Sequence, residues 1–143
     1  MKVDNTISMI GKIKDGANVI IVRELEARGH AGLAPSHGEI LMILLFQGEK
    51  TKTDIANAIG RERSTVTTLL QKLDRLGYIE SRINQEDARS TIVSLTEKGL
   101  GMKKDFIEIS ELIYDRQYRG MTKKQIESLR VCLTKMQKNF KDV

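Results

Sequence analysis

A chain of 143 residues and 16.2 kDa, 40% hydrophobic and 30% charged, has the size of one domain and is short for two. Twenty-four Lys and Arg against nineteen Asp and Glu leave a formal charge of +5, a balance that suits an anionic partner without requiring one. The single cysteine, Cys132, excludes an intramolecular disulfide and suits a reducing, cytoplasmic setting. The longest apolar run, Ile40 to Phe46, is far short of a bilayer span, and Met1 to Asn5 lacks the apolar core of a leader, so no membrane partner is expected.

With one proline and regularly spaced apolar residues, the chain reads as mainly helical. Ile10, Ile13, Ala17, Ile20, Ile21 and Leu25 mark one face of a first helix over about residues 6–28, broken by Gly29 and Gly32. Pro35 fits the first turn of a second helix, and Ser36 with Glu39 has the spacing of a capping box ahead of Ile40 to Phe46. Thr51 or Thr53 caps a third, short helix that carries Ile55, Ala56 and Ile59 inward and stops at Gly60. A fourth, from Arg63 to Leu76, has one stripe of Val66, Leu69, Leu70, Leu73 and Leu76, with Ser64, Thr65, Thr67, Thr68, Gln71 and Lys72 around the rest.

Two strands, Tyr78 to Ile83 and Ser90 to Leu95, flank the polar stretch Asn84 to Arg89. Thr96 then caps a fifth helix running to about Arg119, with Met102, Phe106, Ile109 and Ile113 on one face. Thr122 and Gln125 repeat the capping-box spacing before a last helix whose Ile126, Leu129, Leu133, Met136 and Phe140 form a heptad-like seam. The first helix and the last two are longer than the middle of the chain can cover, which points to a second copy as partner. Periodicity alone leaves packing within one chain equally open for the seam.

Two short helices followed by a strand hairpin describe a winged helix-turn-helix, whose second helix enters the major groove while the hairpin loop reaches flanking DNA. Ser64, Thr65, Thr67 and Thr68 are short donors and acceptors at the start of that second helix, with Arg61, Arg63, Lys72 and Arg75 around them. The stretches Thr53 to Gly60, Arg63 to Thr67 and Leu73 to Ile79, with Asp87-Ala88-Arg89 and Leu95-Thr96-Glu97-Lys98-Gly99, resemble the MarR family of transcriptional regulators.

The resemblance implies a winged helix-turn-helix lobe over residues 33–99, with residues 1–30 and 100–143 as dimerisation helices. It implies a homodimeric repressor of a pseudo-palindromic operator, bound to double-stranded DNA and released by a small-molecule effector. Arg61 would add positive charge, Arg63, Ser64, Thr65, Thr67 and Thr68 would face the major groove, and Lys72 would meet a phosphate. Arg89 would reach the minor groove with Asp87 orienting its guanidinium, and His37 would line the effector crevice, a solvated surface histidine being the equal alternative.

Departures from the family pattern stand at Thr68, where Arg is frequent, and at Gln85-Glu86, where the wing lacks its usual proline and loses rigidity. At Ala34 a capping Thr is missing, which moves the expected helix start to Ser36. Charge is spread unevenly. Residues 61–89 hold six basic and five acidic side chains, so a basic face there needs Asp74 and Glu80 to turn away, whereas residues 121–143 hold six basic and two acidic. Those lysines read as a solvated face and Cys132 as a buried, inert thiol. His30 and His37 have poor spacing for a metal, and no nucleophile or acid/base motif occurs, so neither cofactor nor enzyme activity is expected. The rival reading is a winged-helix module that binds a protein without reading DNA.

Overall fold

The computed structural model describes residues 1–141, which form two compact units, one of Met1–Ile109 and one that begins at Ser110. Seven helices and three strands follow one another among the described residues: α1 (Thr6–Ala27), α2 (Pro35–Gln47), β1 (Lys50–Thr51), α3 (Lys52–Ile59), α4 (Arg63–Arg75), β2 (Ile79–Ile83), β3 (Thr91–Leu95), α5 (Glu97–Leu100), α6 (Lys103–Gln117) and α7 (Lys123–Asn139). The sheet is antiparallel in the order β1-β3-β2, so the hairpin of β2 and β3 forms a wing against which the two-residue β1 closes.

The core of the first unit is built from the inward stripes that the sequence spells out. Ile40, Leu41 and Leu44 of α2, Ile55 and Ala56 of α3, and Val66, Leu70 and Leu73 of α4 are buried together with Ile79, Val93, Met102 and Phe106. Residues three and four apart share a helix face, so α3 and α4 each bury one side and leave the other to solvent, whereas α2 exposes only Glu39, Phe46 and Gln47. Thr51 caps α3 by accepting from the Asp54 N–H at 3.1 Å, and Gly60 ends it in the left-handed region at φ 66°, which turns the chain into α4 after two further residues.

Two expected boundaries differ. The second helix starts at Pro35, neither at Ser36 nor through a Ser36–Glu39 box, because His37 Nδ1 accepts the Ala34 N–H at 2.9 Å and supplies the missing cap. The single helix expected from Thr96 to Arg119 is divided at Gly101 and Met102. There the Met102 N–H bonds to the Gly99 carbonyl, a tightened turn that drops the Met102 side chain into the core.

Thr96 joins this region to the end of α4. Its hydroxyl donates to the Gly77 carbonyl at 2.5 Å and accepts from the Gly99 N–H at 3.2 Å, while its own N–H bonds to the Tyr78 carbonyl. Lys98 adds a bond to the Leu76 carbonyl and lies over the Tyr78 ring, 4.4 Å from its centroid. The turn after α4 is thus held from outside by the Leu95-Thr96-Glu97-Lys98-Gly99 segment. A polar cluster holds the end of α1. Arg28 pairs with Glu24, Asp105 and Glu108, and His30 bridges the Tyr78 hydroxyl (3.1 Å) and Asp105 (2.8 Å), which draws the Asp105 carboxyl below its usual range.

In the second unit, α7 carries the expected capping box, Thr122 N–H to Gln125 at 2.8 Å and Gln125 N–H to Thr122 at 3.1 Å. No residue of this helix is buried. Cys132 is therefore exposed, which overturns the expectation of a buried thiol.

Candidate nucleic-acid interface

Helix α4 buries Val66, Leu70 and Leu73, so a rotation of about 100° per residue sends Ser64, Thr68, Gln71 and Arg75 to the opposite side. All four are exposed. Thr67 stands on the flank toward the wing and Lys72 on the other flank. Sequence reading placed Ser64 and Thr68 here but left out Gln71 and Arg75 as site residues. The signal for them was available in the spacing 64, 68, 71, 75, the complement of the apolar stripe.

The helix opens outward without a side-chain cap. Glu62 occupies the capping position and makes no such bond, and the first turn holds no acidic residue, so the amides of Arg63, Ser64 and Thr65 are left for an external acceptor. Unpaired amides at a helix start favour an anion such as a phosphate. Thr67 donates its hydroxyl to the Arg63 carbonyl at 2.9 Å and Thr68 to the Ser64 carbonyl at 3.3 Å. Ser64 and Thr65 make no side-chain hydrogen bond among the described residues.

The cations divide into free and committed. Arg61, Arg63, Arg75 and Arg89 are exposed and form no ion pair among the described residues. Arg82, on the wing, is held by Glu49 through two bonds of 2.7 and 2.8 Å, which lowers the carboxyl below its usual range. Lys72 is half-buried, and a Cβ on Gly32 would stand 4.0 Å from its Cε and Nζ. In this conformation its ammonium group lies beside the loop between α1 and α2.

The acidic residues do not all turn away. Asp74 lines a cleft of about 200 Å³ with Lys52, Thr67, Leu70, Gln71, Ser81 and Thr91, between α4 and the sheet. Glu80 is exposed on the wing. The positive character of this face therefore rests on the free arginines, with Asp74 and Lys52 both lining the cleft.

The wing tip is closed despite its missing proline. Asn84 Nδ2 donates to Ser90 Oγ at 2.9 Å, Asn84 Oδ1 accepts from the Glu86 N–H at 3.1 Å, and Ser90 N–H bonds to the Asp87 carbonyl at 3.0 Å. Asp87 Oδ1 accepts from the backbone N–H of Arg89 at 3.0 Å, so it fixes the chain that carries the arginine rather than its guanidinium. A turn of this kind needs a short side chain that folds back on its own backbone, which Asn and Asp supply.

His37 is buried, which removes the solvated-surface alternative. Burial, then the Lys72 ammonium, pushes its pKa below the ordinary histidine value. It does not meet His30, whose ring is spent on Tyr78 and Asp105. Among the described residues no cluster of three or more His, Cys, Asp or Glu is placed to hold a metal, and no helix is long and apolar enough to cross a membrane.

Comparison with known proteins adds an independent line. The model of the MarR family matches residues 33–91. The HTH-type transcriptional repressor IacR of Pseudomonas putida is 28% identical over 90 residues, covering 63% of this chain and 54% of the repressor. The chain thus spans about half the length of that relative. Its fold is similar to that of a MarR protein from Peptoclostridium difficile, with a TM-score of 0.87, 19% identity and coverage of 97% and 92% of the two chains. It is also similar to S. aureus MepR in a complex with DNA, with a TM-score of 0.86, 23% identity and coverage of 96% and 100%. Residues 33–91 thus match the MarR family model, and the chain is similar in fold to these two structures over nearly its whole length.

Proposed function

We propose that this chain is a sequence-specific, DNA-binding transcriptional regulator rather than an enzyme, acting as a homodimeric repressor of a pseudo-palindromic operator in the cytoplasm. The observation that carries the reading is the outward side of α4, where Ser64, Thr68, Gln71 and Arg75 stand exposed beside an uncapped helix start and free arginines. Short polar side chains on such a face reach base edges, and the amides of its first turn hold a phosphate. The wing delivers Arg89 on a closed turn, suited to a narrow minor groove.

In this reading Arg63, Ser64, Thr65, Thr67 and Thr68 meet the major groove, Arg61 adds phosphate attraction, and Lys72 reaches a phosphate after leaving its place beside Gly32. A small-molecule effector releases the operator by binding a lobe spacing that does not fit the DNA better than one that does. His37 marks the proposed crevice, and because it is buried an occupant has to displace what covers it.

Selection of bound fragments from random duplex DNA at physiological salt tests the proposal. The expected result is an inverted repeat with half-sites about 10 base pairs apart, bound with a steep salt dependence. Arg89→Ala is expected to weaken that binding about tenfold at matched salt, on the order of 1.4 kcal/mol, with the fold unchanged. No enriched sequence and no salt-dependent affinity would overturn the DNA-binding reading in favour of a protein-binding module.

A further inference from the structure

A threonine hydroxyl has one proton and two lone pairs, and what it offers a partner depends on where the proton goes. On α4 two of the three threonines differ in this from their neighbours. Thr67 gives its proton to the Arg63 carbonyl and Thr68 to the Ser64 carbonyl, whereas the hydroxyls of Ser64 and Thr65 are uncommitted among the described residues. Each threonine oxygen therefore has only lone pairs left to offer a partner, next to a methyl group fixed by the same rotamer.

The four bases are unequal before such a group. In the major groove guanine shows two acceptors, and thymine shows an acceptor and a methyl; adenine and cytosine each show an exocyclic amino donor. An oxygen with its proton spent pairs only with the amino groups. Resting on the DNA-binding reading above, we infer that Thr67 and Thr68 each read an exocyclic amino group, adenine N6 or cytosine N4, and so fix which strand of the base pair they face carries it. To accept guanine, the hydroxyl has to turn and give up its bond to the helix carbonyl. Arg63, a donor only, would hold the complementary preference for guanine elsewhere in the half-site.

The placement of the pair supports two separate base positions. Thr68 lies on the exposed outward stripe between Ser64 and Gln71, and Thr67 lies on the flank, in the cleft it shares with Gln71 and Lys52. Their side chains point about 100° apart around the helix axis, so one base cannot satisfy both.

The test uses the full chain and the fragments it selects. Wild type is expected to enrich one orientation of a base pair at the positions whose preference T67V or T68V flattens, while the conservative T67S and T68S retain it. In competition at fixed salt, replacing the read adenine by 2-aminopurine, or the read cytosine by 2-pyrimidinone, removes the amino donor. Wild-type affinity is expected to fall roughly three- to tenfold, with no further loss in the matching valine variant. Wild-type affinity unmoved by the amino-free base at those positions would overturn the inference while leaving DNA binding intact. The analogue arm needs no variant, so it decides the matter even where a valine variant fails to fold. Absence of any enriched sequence overturns this inference together with the DNA-binding reading, and it is told apart by the loss of salt-dependent affinity for every duplex.

Discussion

Ala34 brings no acceptor to the start of α2, and the ring of His37 takes the N–H that Ala34 leaves there. Nδ1 accepts only as an unprotonated nitrogen, and burial followed by the Lys72 ammonium keeps the group's pKa below its ordinary 6.5. The unfolded chain therefore binds this proton more readily than the folded one. The stability it contributes is complete above about pH 6.5 and is lost as pH falls through the folded value. His37→Gln keeps an acceptor at the same position and does not titrate. The wild-type urea midpoint is expected to drop more steeply than that of the variant between about pH 7 and about pH 5, with equal profiles counting against a neutral cap. Gly99 makes a different kind of point. A Cβ there would lie 2.2 Å from the Tyr78 carbonyl oxygen and 2.9 Å from Leu95 Cδ2, so Gly99→Ala is expected to cost about 3 kcal/mol or more in a denaturation midpoint. The motif that contains Gly99 was legible in the sequence, but its reason was not, because the reason is an approach between segments some twenty residues apart. His37 escaped for the opposite cause: Ser36 and Glu39 offered a plausible local spacing, and the cap came from the residue between them.

Helix existence was readable wherever burial on one face imposed a period. α1, α2, α3, α4 and α7 start and stop within a residue or two of the capping and glycine signals that announce them. The division between α5 and α6 was hidden because Met102 continues the apolar spacing that Phe106 and Ile109 follow, even though its backbone leaves the helix. β1 was missed because two residues, Lys50 and Thr51, carry no pattern, and only their pairing with Ile92 and Val93 makes them a strand. At the candidate site the residue types on α4 were legible, while commitments made across elements were not: Arg82 to Glu49, and Lys72 toward Gly32. The wing shows the same limit. Its missing proline suggested a loose loop, yet the side chain of Asn84 bonds to Ser90 and Glu86 and closes the tip. Asn84→Ala is expected to speed amide exchange at Glu86 and Ser90 by about an order of magnitude, the loss of roughly 1.4 kcal/mol of local protection, without moving the global melting transition. Operator affinity should fall with it, since Arg89 would then be ordered only on binding. Unchanged exchange would return the ordering of the tip to the backbone alone.

At the scale of the whole molecule, the amphipathic faces have to be accounted for. In α1, Ile7, Met9, Ile13 and Val19 are exposed; in α7, Leu129, Val131 and Leu133 are exposed, as is Phe140 just past its end, and the helix buries none of its residues. A helix of 17 residues with a continuous apolar seam gains its stability from packing that seam, more than from propensity. Spacing in the sequence showed the seam but left its partner open between the same chain and a second copy. Bare apolar residues on α7 favour the second copy, and a two-fold dimer is also what a pseudo-palindromic operator demands of its reader. Light scattering at micromolar concentration is expected to give about twice the 16.2 kDa of one chain, with a melting temperature that rises with protein concentration. Leu133→Glu sets a carboxylate in the seam and is expected to lower the melting temperature and to abolish its concentration dependence. It should also cost affinity for an inverted repeat far more than for an isolated half-site, because only the dimer gains from holding two half-sites at once. A wild-type mass of one chain, or equal losses on both duplexes, would detach the seam from DNA reading and leave α7 to a partner of another kind.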